Sequence, residues 1–568
     1  MKTIWGEKLD KSNILPEYPR PQMVRESYFN LNGIWNYAIT ESENLPDNFD
    51  GEILVPFSPE CELSGVKRSL SPTQTLWYQR VFILPEDFNI GRVLIHFGAV
   101  DQVATVFING IEVCTHVGGY TPFSADITSS LQEENTILVK VRDYSDTSYH
   151  SRGKQKSKRG GIWYTAQSGI WQTVWLESVP AEYIIGLRIT PLFDESAVEL
   201  TVIAQGSYEC CAHIASDVIT FMSNTLTKIS MPSFIPWTPE NPHIYDLKIK
   251  MGEDLVKSYF GMRKFSIEPD KDGVKRLFLN NEPYFHNGLL DQGYYSDGMY
   301  TAPSDEAMIF DIQTAKDMGF NMLRKHIKIE PLRWYYHCDR IGMLVWQDMI
   351  NGGGDYRFMT ITSPVMTGKH IKDNNYKRFA REEEEGRIQY YRELDEMINH
   401  LYNSVSIAMW VPFNEGWGQF DAKEAVKRIQ KLDTTRTIDH ASGWHDQFIG
   451  DIKSLHVYFK KYVFKKDKLN RAVILSEFGG YNFRINGHSF NEKDFGYKRF
   501  ESEEAFLEAY RNLYENEIIP AKEQGLCAAV YTQLTDVEDE LNGLITYDRK
   551  TIKLPIEKIR AINAKISF

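Results

Sequence analysis

The chain of 568 residues carries 64 Lys and Arg against 77 Asp and Glu, a formal net charge of −13, with 42% hydrophobic and 25% charged residues. A single hydrophobic core stops growing at about 250 to 300 residues, so this length requires several domains. The composition excludes a disordered or fibrous chain, and the acidic balance disfavours a polyanionic partner held by counterion release, so no nucleic acid is expected.

Residues 1–180 read as short β-prone runs broken by turn residues: Gly33-Ile-Trp-Asn-Tyr-Ala, Leu76-Trp-Tyr-Gln-Arg-Val-Phe-Ile, Arg92-Val-Leu-Ile-His-Phe, Ala104-Thr-Val-Phe-Ile-Asn-Gly and Thr136-Ile-Leu-Val-Lys-Val. Short strands at this spacing predict a β-sandwich. Residues 104–113 alternate about Asn109-Gly110, a dipeptide suited to a tight hairpin turn. A second all-β stretch covers 181–268, with Val198-Glu-Leu-Thr-Val-Ile-Ala and Ile244-Tyr-Asp-Leu-Lys-Ile among its strands. At under about 100 residues it fits an immunoglobulin-like sandwich.

From 269 to 568 helical patterns alternate with compact apolar strands, the signature of βα units around a parallel sheet. Ser304 is a candidate N-cap, with Asp305 and Glu306 in the first turn, Met308, Ile312 and Ala315 on one face, and Gly319 as the stop. A further helix is predicted around Pro331-Leu-Arg-Trp-Tyr-Tyr-His-Cys-Asp, then the strand Met343-Leu-Val-Trp. About 300 residues of such units match a (β/α)8, or TIM, barrel.

Two segments carry the chemistry: Ser406-Ile-Ala-Met-Trp-Val-Pro-Phe-Asn-Glu415 and Ala472-Val-Ile-Leu-Ser-Glu477. Each is an apolar run of strand length that stops at a glutamate, so in a parallel barrel both carboxylates emerge at the C-terminal mouth, where active sites of that fold lie. Glycoside cleavage needs two carboxyl groups, one to protonate the leaving oxygen and one to attack or stabilise the anomeric carbon. The alternative is that each is an ion-pair partner at a strand end. Their separation discriminates a further pair of readings: about 5 Å for a retaining hydrolase, about 6.5 to 9.5 Å for an inverting one.

With these residues in place, the chain resembles glycoside hydrolase family 2, the β-galactosidases, β-glucuronidases and β-mannosidases, over almost its full length. The resemblance implies a sugar-binding jelly-roll domain over 1–180, an immunoglobulin-like sandwich over 181–268 and a catalytic barrel over 269–568. It implies that Asn414-Glu415 carries the acid/base at the end of barrel strand four and that Ser476-Glu477-Phe-Gly-Gly carries the nucleophile at the end of strand seven. Gly319-Phe-Asn-Met-Leu-Arg-Lys-His326 resembles the family's G-x-N-x-x-R-x-x-H stretch with one residue fewer before the His. By that likeness Arg324 hydrogen-bonds the nucleophile and keeps it ionised, and Tyr458 donates to it. Asn414, Arg324, His326, Tyr458, Asp291, Trp444 and Tyr531 are the candidate substrate-binding residues, the two last as stacking platforms for a sugar face. For Arg324 an internal ion pair, for His326 a satisfied core histidine, and for Tyr458, Trp444 and Tyr531 plain packing are the structural alternatives.

The residues 160–172 resemble a loop that approaches the barrel mouth. The basic run 152–159 before it suggests an anion site, but a short charged loop on an acidic protein is more often just solvated, and the sequence assigns it to neither. Leu544 stands where glucuronidases of the family are expected to carry a lysine for the sugar carboxylate, so a glucuronide is disfavoured and a neutral β-pyranoside, galactose by default, is the expected substrate. β-Mannosidase, β-glucuronidase or arabinopyranosidase activity of the same family, or a non-catalytic carbohydrate-binding protein, are the alternatives. No cofactor and no metal is expected, because no His, Asp and Glu cluster with metal spacing flanks either strand. The partner is a glycoside or oligosaccharide, and the resemblance leaves a homo-oligomer open.

No window reaches the roughly 18 consecutive apolar residues of a membrane span, and Met1-Lys-Thr-Ile-Trp-Gly-Glu-Lys lacks a signal peptide's apolar stretch. No membrane partner and a cytoplasmic location follow as expectations. The six cysteines are scattered without a C-x-x-C pair and read as buried thiols.

Overall fold

The computed structural model describes residues 1–215 and 217–566. Its first layer pair is a six-stranded antiparallel sheet, which includes Thr75–Phe82 and Asn135–Arg142, packed on a four-stranded sheet built on Arg92–Phe97 and Val174–Val179. Burial alternates strictly along Asn135–Arg142 and Val103–Ile108, the pattern of strands with one face on a core. Val106, Ile108, Val139 and Val141 meet Ile95, Phe97 and Leu176 between the sheets. In the predicted hairpin, Ile108 pairs with Ile111, and Asn109 and Gly110 both take positive φ, 52° and 80°, as a type I′ turn demands.

The second sandwich sets Gly186–Leu192, Ala197–Ile203 and Thr227–Ser230 against a four-stranded sheet that includes Glu209–Ile214 and Tyr245–Met251. Val198, Leu200, Ala212 and Ile249 form its core. A hairpin, Phe265–Pro269 with Lys275–Leu279, then leads into the barrel and plugs its base: Phe265, Leu277 and Leu279 pack on the interior residues Met322, Leu344, Ile474 and Ala528.

The eight barrel strands are, in chain order, His286–Asp291, Met322–Lys325, Leu344–Asp348, Ile407–Val411, Thr437–Ile438, Ile452–Val457, Ala472–Gly479 and Leu526–Thr532. All pair in parallel, strand one with strands two and eight, and the ladder is open only between strands five and six. Side chains alternate between two cores. Leu290, Met322, Trp346, Met409, Ile474 and Val530 point inward, whereas Leu289, Leu323, Val345, Trp410, Val473 and Tyr531 pack against the helices. The predicted helices are present as Asp305–Asp317, whose Ser304 hydroxyl accepts from the Ala307 amide, and Leu332–Ile341, which ends on Gly342.

Among the described residues no helix is long and apolar enough to cross a membrane. All six cysteines are free thiols. Cys61, Cys210, Cys338 and Cys527 are buried, and Cys114 and Cys211 are half-buried.

Candidate active site

Barrel strand seven carries Glu477 inward through a break in alternation. Leu455 pairs with Leu475 but His456 pairs with Glu477, so Ser476 is an extra residue opposite strand six. Strict period two would turn Glu477 outward with Leu475. The bulge lets Ser476 and Glu477 both face the interior, where the Ser476 hydroxyl meets those of Ser442 and Ser454. Glu415 leaves strand four by a different device: its φ is +51°, a left-handed conformation that few non-glycine residues hold without support. Its amide donates to the Ser442 carbonyl at 2.9 Å, which pins the turn.

The two carboxyl groups approach each other across the mouth. One oxygen of each, together with a ring nitrogen of His456, falls within 4.8 Å of the others. His456 Nδ1 lies 2.7 Å from Glu415 Oε1 and 3.4 Å from Glu477 Oε2. The Ser442 hydroxyl, 3.1 Å from His456 Nε2, orients the ring from behind. Gly443 makes room, since a Cβ there would sit 2.3 Å from the imidazole. The three donors could also hold a divalent cation; their mutual contacts suit a shared proton equally well.

Each glutamate has its own donors. Glu477 accepts from Arg324 Nη1 at 3.1 Å and from the Tyr458 hydroxyl at 2.5 Å, and Thr532 Oγ1 lies 2.9 Å from that hydroxyl. Arg324 is fully buried and is clamped by both oxygens of Asp348 at 3.0 Å and by Asn414 Oδ1 at 2.8 Å. Such a bidentate fork fixes where its remaining N–H points. Burial and the charge of Glu477 push the Tyr458 phenol well above its ordinary range, so it stays a donor. Glu415 accepts from Trp417 Nε1 at 3.1 Å. Burial pushes the Glu415 carboxyl up, but the His456 contact, the Trp417 donor and the Lys154 charge outweigh it and hold the carboxyl below its ordinary range.

Buried strand-end carboxylates with dedicated donors, facing each other across a barrel mouth, are the equipment of glycoside cleavage. The sequence matches the profile of the glycosyl hydrolases family 2 TIM barrel domain over residues 274–567. The chain belongs to glycoside hydrolase family 2. The profile of the family's sugar binding domain matches residues 64–180. A β-galactosidase of Thermoanaerobacter pseudethanolicus is 26% identical over 391 residues, 63% of this chain and 47% of that protein. A β-glucuronidase of Streptococcus agalactiae is 22% identical over 498 residues, 80% of each. The chain thus spans less than half of the first of these and four fifths of the second. A β-glucuronidase structure from an uncultured Clostridium superposes with a TM-score of 0.73 over 96% of this chain and 99% of that one, at 19% identity.

Within this family 2 barrel, Asn414, Arg324 and Tyr458 surround the glutamate pair. His326 lies one step behind, its Nδ1 2.7 Å from Asp348 Oδ2; burial and the nearby Lys154 push its imidazole well below its ordinary range, so it is neutral. Asp291 is engaged by Lys325 Nζ at 2.6 Å and by the Gly293 amide at 2.9 Å. Trp444 is half-buried, 6.3 Å from the His456 ring. Tyr531 is no platform: it is fully buried on the outer face of strand eight against Phe478 and Tyr510, and its neighbour Thr532 takes the inward place. Leu544 is likewise a core residue with no exposure, so its identity says nothing of the pocket's charge.

The basic run 152–159 is buried at its start and exposed at Ser157 and Lys158. Arg152 is 3% exposed and bonds the Gly353 carbonyl, and Gly153 lies so close to the Ile327 carbonyl that a Cβ would be 3.1 Å from it. This contact delivers Lys154, from the N-terminal sandwich, to the mouth of the barrel. Its ammonium sits 5.7 Å from the Tyr164 ring centre, and the Tyr164 hydroxyl bonds Glu540. Burial pushes the Glu540 carboxyl up and Lys154 draws it down. His456, Trp417, Thr532, Lys154 and Glu540 are the residues that strand-end reasoning misses. His456 alone had a readable signal, since it shares a strand face with Tyr458 at i, i+2.

Proposed function

We propose that the protein is a retaining exo-β-glycosidase that acts on a terminal neutral β-pyranoside, with Glu415 as general acid/base and Glu477 as nucleophile. Glu477 attacks the anomeric carbon while Glu415 gives its proton to the glycosidic oxygen, and the aglycone leaves as an alcohol. Water, deprotonated by Glu415, then opens the glycosyl ester from the same face and regenerates both groups. Asn414, Arg324, His326 and Tyr458 position the pair and the sugar, and residues 1–180, 181–268 and 269–568 act as sugar-binding, immunoglobulin-like and catalytic units.

The observation that carries this reading is the approach of the two carboxylates to within 4.8 Å, which favours retention over an inverting geometry of about 6.5 to 9.5 Å. Glu415, held below its ordinary range, must receive the proton that it delivers, and the His456 ring nitrogen 2.7 Å from its Oε1 is placed to pass one to it. His456→Asn is therefore expected to slow turnover about 10²-fold or more, in the range of general acid/base effects. The sign of the pH effect follows from the same contact. His456 lowers Glu415, so its loss raises the Glu415 carboxyl and moves the alkaline limb of kcat/KM to higher pH. An unmoved limb would remove His456 from the proton path.

Galactose is the first sugar to test. With Leu544 set aside, support for a neutral sugar comes from the buried Glu540, which can accept from a hydroxyl and which a uronate carboxylate would meet unfavourably. Nitrophenyl β-galactoside is expected to be hydrolysed at least about tenfold faster than the β-glucuronide, the factor that 1.4 kcal/mol represents. A faster glucuronide would assign Lys154 to carboxylate binding and overturn the neutral-sugar reading.

A further inference from the structure

Trp417 donates its indole N–H to Glu415 Oε2, and its ring is the inner member of an aromatic group that runs outward from the barrel mouth. Trp163 meets it edge-on at 5.1 Å and 84°, Tyr356 meets it at 5.2 Å and 64°, and Trp163 and Tyr356 stack on each other at 5.8 Å and 20°. The three come from different places: Trp417 from the loop after strand four, Tyr356 from the long segment after strand three, and Trp163 from the N-terminal sandwich. Each outer ring is fixed. Trp163 closes a turn by exchanging backbone hydrogen bonds with Gly160 at 2.8 and 3.2 Å, and Lys156 lies 4.8 Å from its ring centre. Tyr356 is tied through its hydroxyl to the Gly352 carbonyl, with Arg152 5.0 Å from its ring centre. Both outer rings nonetheless remain only half-buried, as do Ile162 and Trp444 beside them.

An apolar surface held rigid and left part-open is expected where a ligand completes the burial. Its chemical identity follows from its neighbour. Under the proposed mechanism the glycosidic oxygen must lie within reach of Glu415, so whatever is bonded to that oxygen leaves across the group that begins at Trp417. We infer that Trp163, Tyr356 and Trp417 form the aglycone subsite, and that the natural aglycone presents a flat ring, either the C–H face of a second sugar or an aromatic ring. This rests on the glycosidase reading and adds what the leaving side of the substrate must be. It also assigns a role to the sandwich domain, which supplies one wall of that subsite.

The test uses the full-length chain and compares Trp163→Ala, Trp163→Phe and the unaltered protein on three galactosides: β-galactosyl fluoride, which has no ring on the leaving side, nitrophenyl β-galactoside and a β-linked galactosyl disaccharide. The ratio of kcat/KM for the ring-bearing substrates to that for the fluoride is expected to fall at least tenfold in Trp163→Ala and to recover in Trp163→Phe. A fall confined to the nitrophenyl substrate identifies an aromatic aglycone, and one confined to the disaccharide a sugar. A ratio within twofold of the unaltered protein for both overturns the subsite. Failure of the unaltered protein to hydrolyse the fluoride would count instead against galactose as the glycone, and the same ratios measured with the fluoride, nitrophenyl glycoside and disaccharide of the sugar it does hydrolyse would then decide the subsite.

Discussion

Glu477→Gly is expected to reduce hydrolysis of an aryl β-glycoside by about 10⁴-fold or more, because it removes the group that forms the covalent intermediate. Two donors, Arg324 Nη1 and the Tyr458 hydroxyl, are left facing the hole, which makes it a site suited to a small anion. Azide placed there attacks the anomeric carbon from the side opposite the aglycone in a single displacement, so the rescued product is the α-glycosyl azide. Arg324 Nη1 keeps the Ser476 carbonyl and the Tyr458 hydroxyl keeps Thr532 Oγ1, so the loss of one acceptor from this buried pair destabilises the fold by about 1 to 3 kcal/mol in all. Glu477→Gln, which keeps one acceptor oxygen and the side-chain volume, should therefore be equally inactive yet more stable. Near-normal activity of either variant would remove Glu477 from the nucleophile's role.

Glu415→Ala is expected to discriminate among leaving groups. An alkyl or sugar aglycone needs its oxygen protonated as the bond breaks, and its release should slow by about 10² to 10⁴-fold. A dinitrophenyl aglycone leaves without that proton, so its first step should be nearly unaffected and the glycosyl ester should accumulate, since the base for hydrolysis is also gone. Azide then attacks the ester from the aglycone side and gives the β-glycosyl azide, the opposite product from the one expected of Glu477→Gly. The left-handed backbone at position 415 adds a control: Glu415→Gly accepts a φ of +51° without the strain that Ala incurs, and should match Ala in chemistry while exceeding it in stability. Equal slowing of good and poor leaving groups would contradict an acid/base role.

The ends of strands four and seven were legible in the sequence because a buried apolar run that stops at a carboxylate has few structural explanations. Arg324 and Tyr458 followed from the family resemblance. What alternation alone could not supply was the direction of side chains where the pleat breaks. The bulge at Ser476 turns Glu477 inward, and strand eight, itself broken by a bulge at Cys527, turns Tyr531 outward and Thr532 inward, the reverse of the expected platform. Leu544 misled for a related reason: distance along the chain from strand eight placed it near the pocket, but its side chain belongs to the core. Lys154 was illegible because it approaches from another domain, and no periodicity within the barrel announces a residue that folds in from outside it; Trp163 lies within residues 160–172, which the family resemblance brings to the barrel mouth. An acid/base role calls for a Glu415 carboxyl raised toward the working pH. Burial does act in that direction, but it is outweighed by His456, whose contact across 41 residues of chain only the assembled barrel reveals.

The central claim is that Glu477 becomes covalently bonded to the sugar. The most direct measurement is to incubate the protein with the 2-deoxy-2-fluoro dinitrophenyl analogue of its best substrate, in which the fluorine slows hydrolysis of the ester more than its formation. The proteolytic peptides are then weighed. The account predicts inactivation with one added fluorosugar on the peptide that contains residues 472–479, located by fragmentation at Glu477 and absent from Glu477→Gln. An adduct on Glu415 or elsewhere, or release of the α-anomer as the first product from the unmodified substrate with no adduct at all, would contradict it.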